Sequence, residues 1–188
     1  MSTITRSITV EEYEKMIEDG AIGEDARLEL IEGRLVPKMT KGRRHSAGSE
    51  LCWRAIDRVI PPGWHIRIEK PVRIPERDSD PEPDVSVARG GINDYLEHDP
   101  GPDDVALVVE VSDSTLAHDR ALAATYLGGG IAVYWLVNLV DRRLEVYTAA
   151  GAGPVFVGEH DQAELVITGQ VADRIAVAGM LPRIVASS

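Results

Sequence analysis

Apolar residues along this chain fall into short blocks whose period changes several times. Thr9-Val10-Glu11-Glu12 has the form of a capping box, with a hydroxyl at the cap and a carboxylate three residues on. It predicts a short helix to about Glu18, stopped by Asp19-Gly20. Leu28 to Glu32 alternates apolar and acidic positions, Gly33 turns the chain, and Arg34-Leu35-Val36 returns, which predicts a hairpin. From Arg43 to Ile60, Ala47, Leu51, Ala55 and Val59 recur at every fourth position, and Cys52 and Ile56 widen the stripe. That is an amphipathic helix, ended by Pro61-Pro62-Gly63.

Trp64 to Glu69 and Val72 to Pro75 read as extended segments, Glu76 to Pro81 as a polar loop, and Asp84 to Ala88 as a strand. Arg89 to Asp104, rich in Gly, Pro and Asp, reads as a long mobile excursion. Val105 to Val111 is apolar on both faces apart from Glu110, the pattern of an interior strand. A second helix is expected from about Asp119 to Leu127, ended by three glycines. Ala132 to Leu139 and Arg143 to Thr148 then pair across Val140-Asp141-Arg142. Short strand-like pieces follow around Val155, Leu165 and Ile175, on the way to Val185. The whole is one α/β domain, a mixed sheet covered by helices.

A length of 188 residues suits one domain with a real core. The net charge of −11 disfavours tight DNA binding through the overall field, because that binding is driven by phosphate neutralisation. A local basic patch at Lys38, Lys41, Arg43 and Arg44 remains, either as a contact surface or as a solvated loop with charged tips. Cys52, the single cysteine, rules out an internal disulfide and a multi-cysteine zinc site, and reads as a small core residue. The N-terminus lacks an apolar stretch of signal-peptide length, and no apolar run approaches the ~20 residues of a membrane span. A cytoplasmic protein without membrane association is therefore expected.

Two acids stand in or beside apolar runs: Asp84 in Glu82-Pro83-Asp84-Val85, and Glu110 in Leu107-Val108-Val109-Glu110-Val111. Proline holds the chain extended at the entrance to the first strand. Carboxylates in such places are costly without a positive partner, and two of them facing one cleft repel unless a divalent cation joins them. Oxygen-only ligation suits Mg²⁺ or Mn²⁺. The other readings are a strand cap for Asp84 and a buried ion pair with an arginine for Glu110. If the acids share a metal, replacing either with its amide should raise metal-free stability. One of Glu29 and Glu32 approaches the same cleft, or both face solvent; His45 and Glu69 are similarly open. Trp53, Trp64 and Trp135 read as core or interface aromatics. There is no Gly-rich phosphate loop followed by Lys-Ser/Thr, and no nucleophile-elbow serine.

The ordered stretches Leu28 to Val36, His45 opening a helix, Glu82-Pro83-Asp84-Val85, Leu107 to Ser112, Asp119-Arg120, Tyr126 and Tyr134 to Asn138 resemble the Uma2 family of restriction-endonuclease-like proteins. The resemblance implies a PD-(D/E)XK nuclease core: a mixed sheet flanked by helices, in a single domain. That core would span about 8–150, with a C-terminal extension over 151–188. It implies a Mg²⁺- or Mn²⁺-dependent endonuclease acting on nucleic acid, with Asp84 and Glu110 as catalytic metal ligands. Glu29 would be the additional acid of the first hairpin, and His45 would match a histidine at the helix start. A homodimer is also implied, for which the apolar run Ala132 to Leu139 offers a surface. One departure stands out. The family carries a lysine four residues before the tyrosine matched by Tyr126, and here that position is Leu122. Arg120 is the catalytic residue expected to substitute for it, although a guanidinium differs in shape and does not give up a proton. The resemblance thus implies either a nuclease weakened by that loss or a non-catalytic relative serving as a binding or dimerisation module.

Overall fold

A computed structural model describes residues 6–23 and 25–184. Most of the N-terminal stretch searched for a leader, and Val185, lie outside the described residues. Thr9 caps α1 (Val10–Glu18) with the expected reciprocal capping box. β1 (Leu28–Ile31) and β2 (Arg34–Pro37) form the expected hairpin, with Glu32 and Gly33 both at positive φ, 47° and 70°, as a tight turn between strands requires. Val10, Tyr13, Ile22 and Leu30 bury a small cluster between helix and hairpin.

α2 (Arg43–Asp57) follows, then β3 (Trp64–Ile68), β4 (Val85–Arg89), β5 (Val105–Ser112), α3 (Leu116–Gly128), β6 (Val133–Asn138), β7 (Arg143–Thr148) and β8 (Val155–Gly158). The six strands from β3 to β8 lie in chain order in one sheet. All neighbours are antiparallel except β5 and β6, which are parallel because α3 carries the chain back across the sheet. β9 (Gln162–Ile167) and β10 (Gln170–Ala176) make a separate hairpin.

The sheet is buried on both faces, which explains the near-continuous apolar runs of β5 and β6. Leu107, Val109, Trp135 and Val137 pack against Cys52 and Ile56 of α2 and against Leu165, Val177 and Met180 near the C-terminus. On the other face Val108, Tyr134 and Leu136 meet Leu122 and Tyr126 of α3, together with Val72 and Ile74.

Several expectations need correction. The buried stripe of α2 is Gly48, Ser49, Cys52 and Ile56, displaced by one position from the stripe through Ala47 and Leu51, which are exposed. Two stripes share the period, and the one containing Gly48 lets the helix sit closest to β5. α3 begins at Leu116, three residues before Asp119. The excursion from Arg89 to Asp104 is a folded loop: Tyr95 donates to the Arg89 carbonyl (2.9 Å), Arg67 pairs with Asp99, and Arg73 N donates to the Pro100 carbonyl (3.0 Å).

Beyond residue 150, β8 is the sixth strand of the sheet and β9 packs on its core. The run Ala132 to Leu139 forms the interior strand β6, bonded on both edges and buried, so it has no surface to offer a second copy. No described helix is long and apolar enough to cross a membrane.

Candidate functional site

Asp84 follows Pro83 at a bend immediately before β4. The β4–β5 register, Val85 opposite Val109, brings Asp84 beside Glu110. The Asp84 backbone N–H donates to Glu110 Oε2 at 3.4 Å. Both side chains line one cleft of about 330 Å³. β1 contributes Glu29, whose Oε2 accepts from the Glu82 N–H at 3.4 Å. Glu32 goes elsewhere: it accepts from Arg77 and from Thr125 Oγ1 (2.8 Å). Glu29 is therefore the hairpin acid that reaches the cleft. α3 adds Asp119, which the sequence showed only as part of a helix start. His45, in the first turn of α2, places Nε2 3.1 Å from Asp84 Oδ2.

Asp84 is 1% exposed and fully engaged. Its Oδ2 accepts from His45 and from the Val111 N–H (2.7 Å), while among the described residues its Oδ1 faces only Lys41 Nζ, at 2.6 Å. Burial opposes its charge, but His45 and Lys41 outweigh burial and hold the carboxyl below its ordinary range. Glu110 goes the other way. Burial, then Asp84, Asp119 and Glu29, push its carboxyl well above the usual value, and its Oε1 accepts only a Tyr126 hydroxyl hydrogen bond at 3.2 Å. Burial likewise raises Glu29 and Asp119. The cleft thus holds more negative charge than its own cations neutralise.

Lys41 also bonds Glu69 Oε1 at 2.8 Å, so this one side chain of the otherwise exposed basic loop before α2 reaches into the acids. Sequence spacing gives no sign of this, since Lys41 lies 43 positions from Asp84. Arg120 is not part of the site. It turns toward β7, where Glu145, level with Glu110 but two strands away, holds its guanidinium through Nε (2.9 Å) and Nη2 (2.6 Å). One helical residue cannot face both ways: Leu122 presents α3 to the cleft, and Arg120 faces β7. Cys52 is buried beside Met180, where burial pushes its thiol up and keeps it inert.

A family model described as "Uma2: Putative restriction endonuclease" matches residues 10–172. The chain belongs to the Uma2 family. A solved structure described as a putative nuclease belonging to DUF820, from Anabaena variabilis ATCC 29413, is similar over 92% of this chain and 97% of that one, with a TM-score of 0.66 and 19% identity. This likeness establishes a nuclease-like α/β fold. No protein with a curated function matches. Metal-dependent hydrolysis is typical of restriction-endonuclease-like families, and the donor atoms of this Uma2 chain can be tested against that. Among the described residues no three His, Cys, Asp or Glu side chains converge as a closed cage. Mg²⁺ does not need one, because it binds through one or two carboxylates and keeps its waters. Asp84 and Glu110 offer that pair, Asp84 already compensated by Lys41 and His45 and Glu110 surrounded by other acids.

Proposed function

We propose that this chain is a divalent-cation-dependent endonuclease that hydrolyses phosphodiester bonds of nucleic acid. The observation that carries the reading is the meeting of Asp84 and Glu110 in one cleft, with Glu110 left short of positive charge. Asp84 and Glu110 would hold Mg²⁺ or Mn²⁺. Such an ion activates water and stabilises charge on the phosphoryl and departing oxygens. The chain's own residues do the rest. His45 and the Val111 N–H fix the Asp84 carboxylate, and Tyr126 orients Glu110. Glu29 stands in the same cleft with a raised pKa, suited to exchanging a proton with water. Water oxygen bonds to phosphorus, the bond to the departing oxygen breaks, and one proton passes from water to that oxygen.

A second reading, a nuclease fold kept for binding alone, is favoured by the apolar Leu122 in the cleft wall and by the net charge of −11. Metal titration followed by thermal melting separates the two. With Mn²⁺ tenfold above its Kd, the protein should gain about 1.4 kcal/mol, a rise of roughly 3–6 °C in Tm. Asp84→Ala should abolish both that rise and the nicking of supercoiled plasmid. A Tm indifferent to metal in both proteins, with intact plasmid, favours the binding module.

A further inference from the structure

Leu122 closes part of the α3 side of the cleft with a hydrocarbon wall, and the basic residue that this helix adds to the lining is the exposed His118. A phosphodiester entering this acidic site still needs a positive group near its oxygens. The cleft is lined by the exposed Arg27 and His118 and by Lys38, Lys41 and His45, with Arg44 close by, and the last four differ in what holds them. Lys38 pairs with Glu82 at the margin. Arg44 is bound to Asp113 (3.0 Å) and to the Leu139 carbonyl (3.3 Å). His45 is taken by Asp84 Oδ2, an oxygen that also receives the Val111 N–H. Lys41 alone bridges the buried Asp84 and the rim residue Glu69, at 2.6 and 2.8 Å, and its side chain keeps 33% exposure to the cleft mouth.

Among the described residues Asp84 Oδ1 has no donor other than Lys41. It is therefore the Asp84 oxygen left to offer a divalent cation, and the ammonium occupies it. We propose that Lys41, carried on the β2–α2 loop, supplies the active-site ammonium of this chain, holding Asp84 Oδ1 in the metal-free protein and moving to the substrate phosphate when a cation binds. Glu69 retains the ammonium at the rim once Oδ1 is taken, so the lysine stays in the cleft and faces incoming phosphate oxygens. Lys41 is then a competitor of the metal in the resting protein and a catalytic residue in the loaded one. This inference rests on the nuclease reading above.

The two roles pull in opposite directions, which gives the test. Mn²⁺ binding by isothermal titration calorimetry and cleavage of supercoiled plasmid at saturating Mn²⁺ are compared for wild type, Lys41→Met and Lys41→Arg, with folding checked by circular dichroism. Lys41→Met should bind Mn²⁺ more tightly than wild type and cleave about 100-fold more slowly. Lys41→Arg should recover part of the rate, since it keeps the charge but not the shape. Lys41→Gln repeats both measurements if the methionine variant does not fold. Wild-type cleavage by Lys41→Met at saturating metal overturns the proposal and leaves the nuclease reading intact. So does loss of metal binding in step with loss of rate, which marks Lys41 as merely structural. A wild-type protein that neither binds Mn²⁺ nor cleaves removes the nuclease reading and this inference together.

Discussion

Asp84 and Glu110 stand side by side, yet their surroundings treat the charge differently. The sequence implied symmetrical repulsion, with either amide replacement stabilising the metal-free protein. The structure makes the effect one-sided. Asp84 is compensated by Lys41, His45 and the Val111 N–H, whereas Glu110 is disfavoured by burial and by three neighbouring carboxylates. In buffer containing EDTA at neutral pH, Glu110→Gln should therefore raise Tm by roughly 2–4 °C, about 1 kcal/mol. Asp84→Asn should lower stability by about 2 kcal/mol or more, because it removes the buried charge on which Lys41 and His45 converge and leaves the ammonium only the rim residue Glu69. Thermal melts of the two variants check the pair, and a rise in both would restore the symmetrical picture. Glu110 and Asp84 were recognisable from sequence because an acid inside an apolar run is conspicuous. Lys41 was not, because it sits in a polar stretch where charge is ordinary, and Glu69 was left open between cleft and solvent at the end of an extended segment.

The elements that carry these residues depend on close packing at a few points. α2 rests on β5 at Gly48, where an added Cβ would lie 2.9 Å from Val111 Cγ1 and 3.3 Å from the Leu139 methyls. Gly48 is one turn from His45 and faces the strand whose Val111 N–H holds Asp84. Gly48→Ala should cost about 1–3 kcal/mol by overpacking and weaken Mn²⁺ binding by shifting the helix that carries His45. Chemical denaturation and calorimetry measure the two effects, and an unchanged midpoint would show slack at this contact. The glycine also explains the displaced stripe. Helical period was legible from sequence, but the choice between two stripes one position apart needed to know which side chain had to be absent.

At the scale of the whole molecule, the C-terminal segment is part of the core. Leu165, Val177 and Met180 cover the same sheet face as α2, and β8 pairs along β7. A chain truncated after Ala150 would expose Trp135 and Val137 and leave the β7 edge open, inviting association. Such a truncation should show no cooperative thermal transition by circular dichroism, while the full chain does. A cooperative melt of the fragment would show that a core ending near residue 150 is self-sufficient.

The sequence by itself determined the element types and most of their order, the capping box at Thr9, the tight hairpin at Gly33, and the interior character of β5. These depend on neighbours within a few residues, where period, caps and turn chemistry act directly. Only the tertiary structure decided that Lys41, His45, Glu29 and Asp119 share a cleft with Asp84 and Glu110, and that Arg120 belongs to Glu145. Those outcomes follow from strand order, the α3 crossover and the facing of each helix, which join positions dozens of residues apart and leave no periodic trace along the chain.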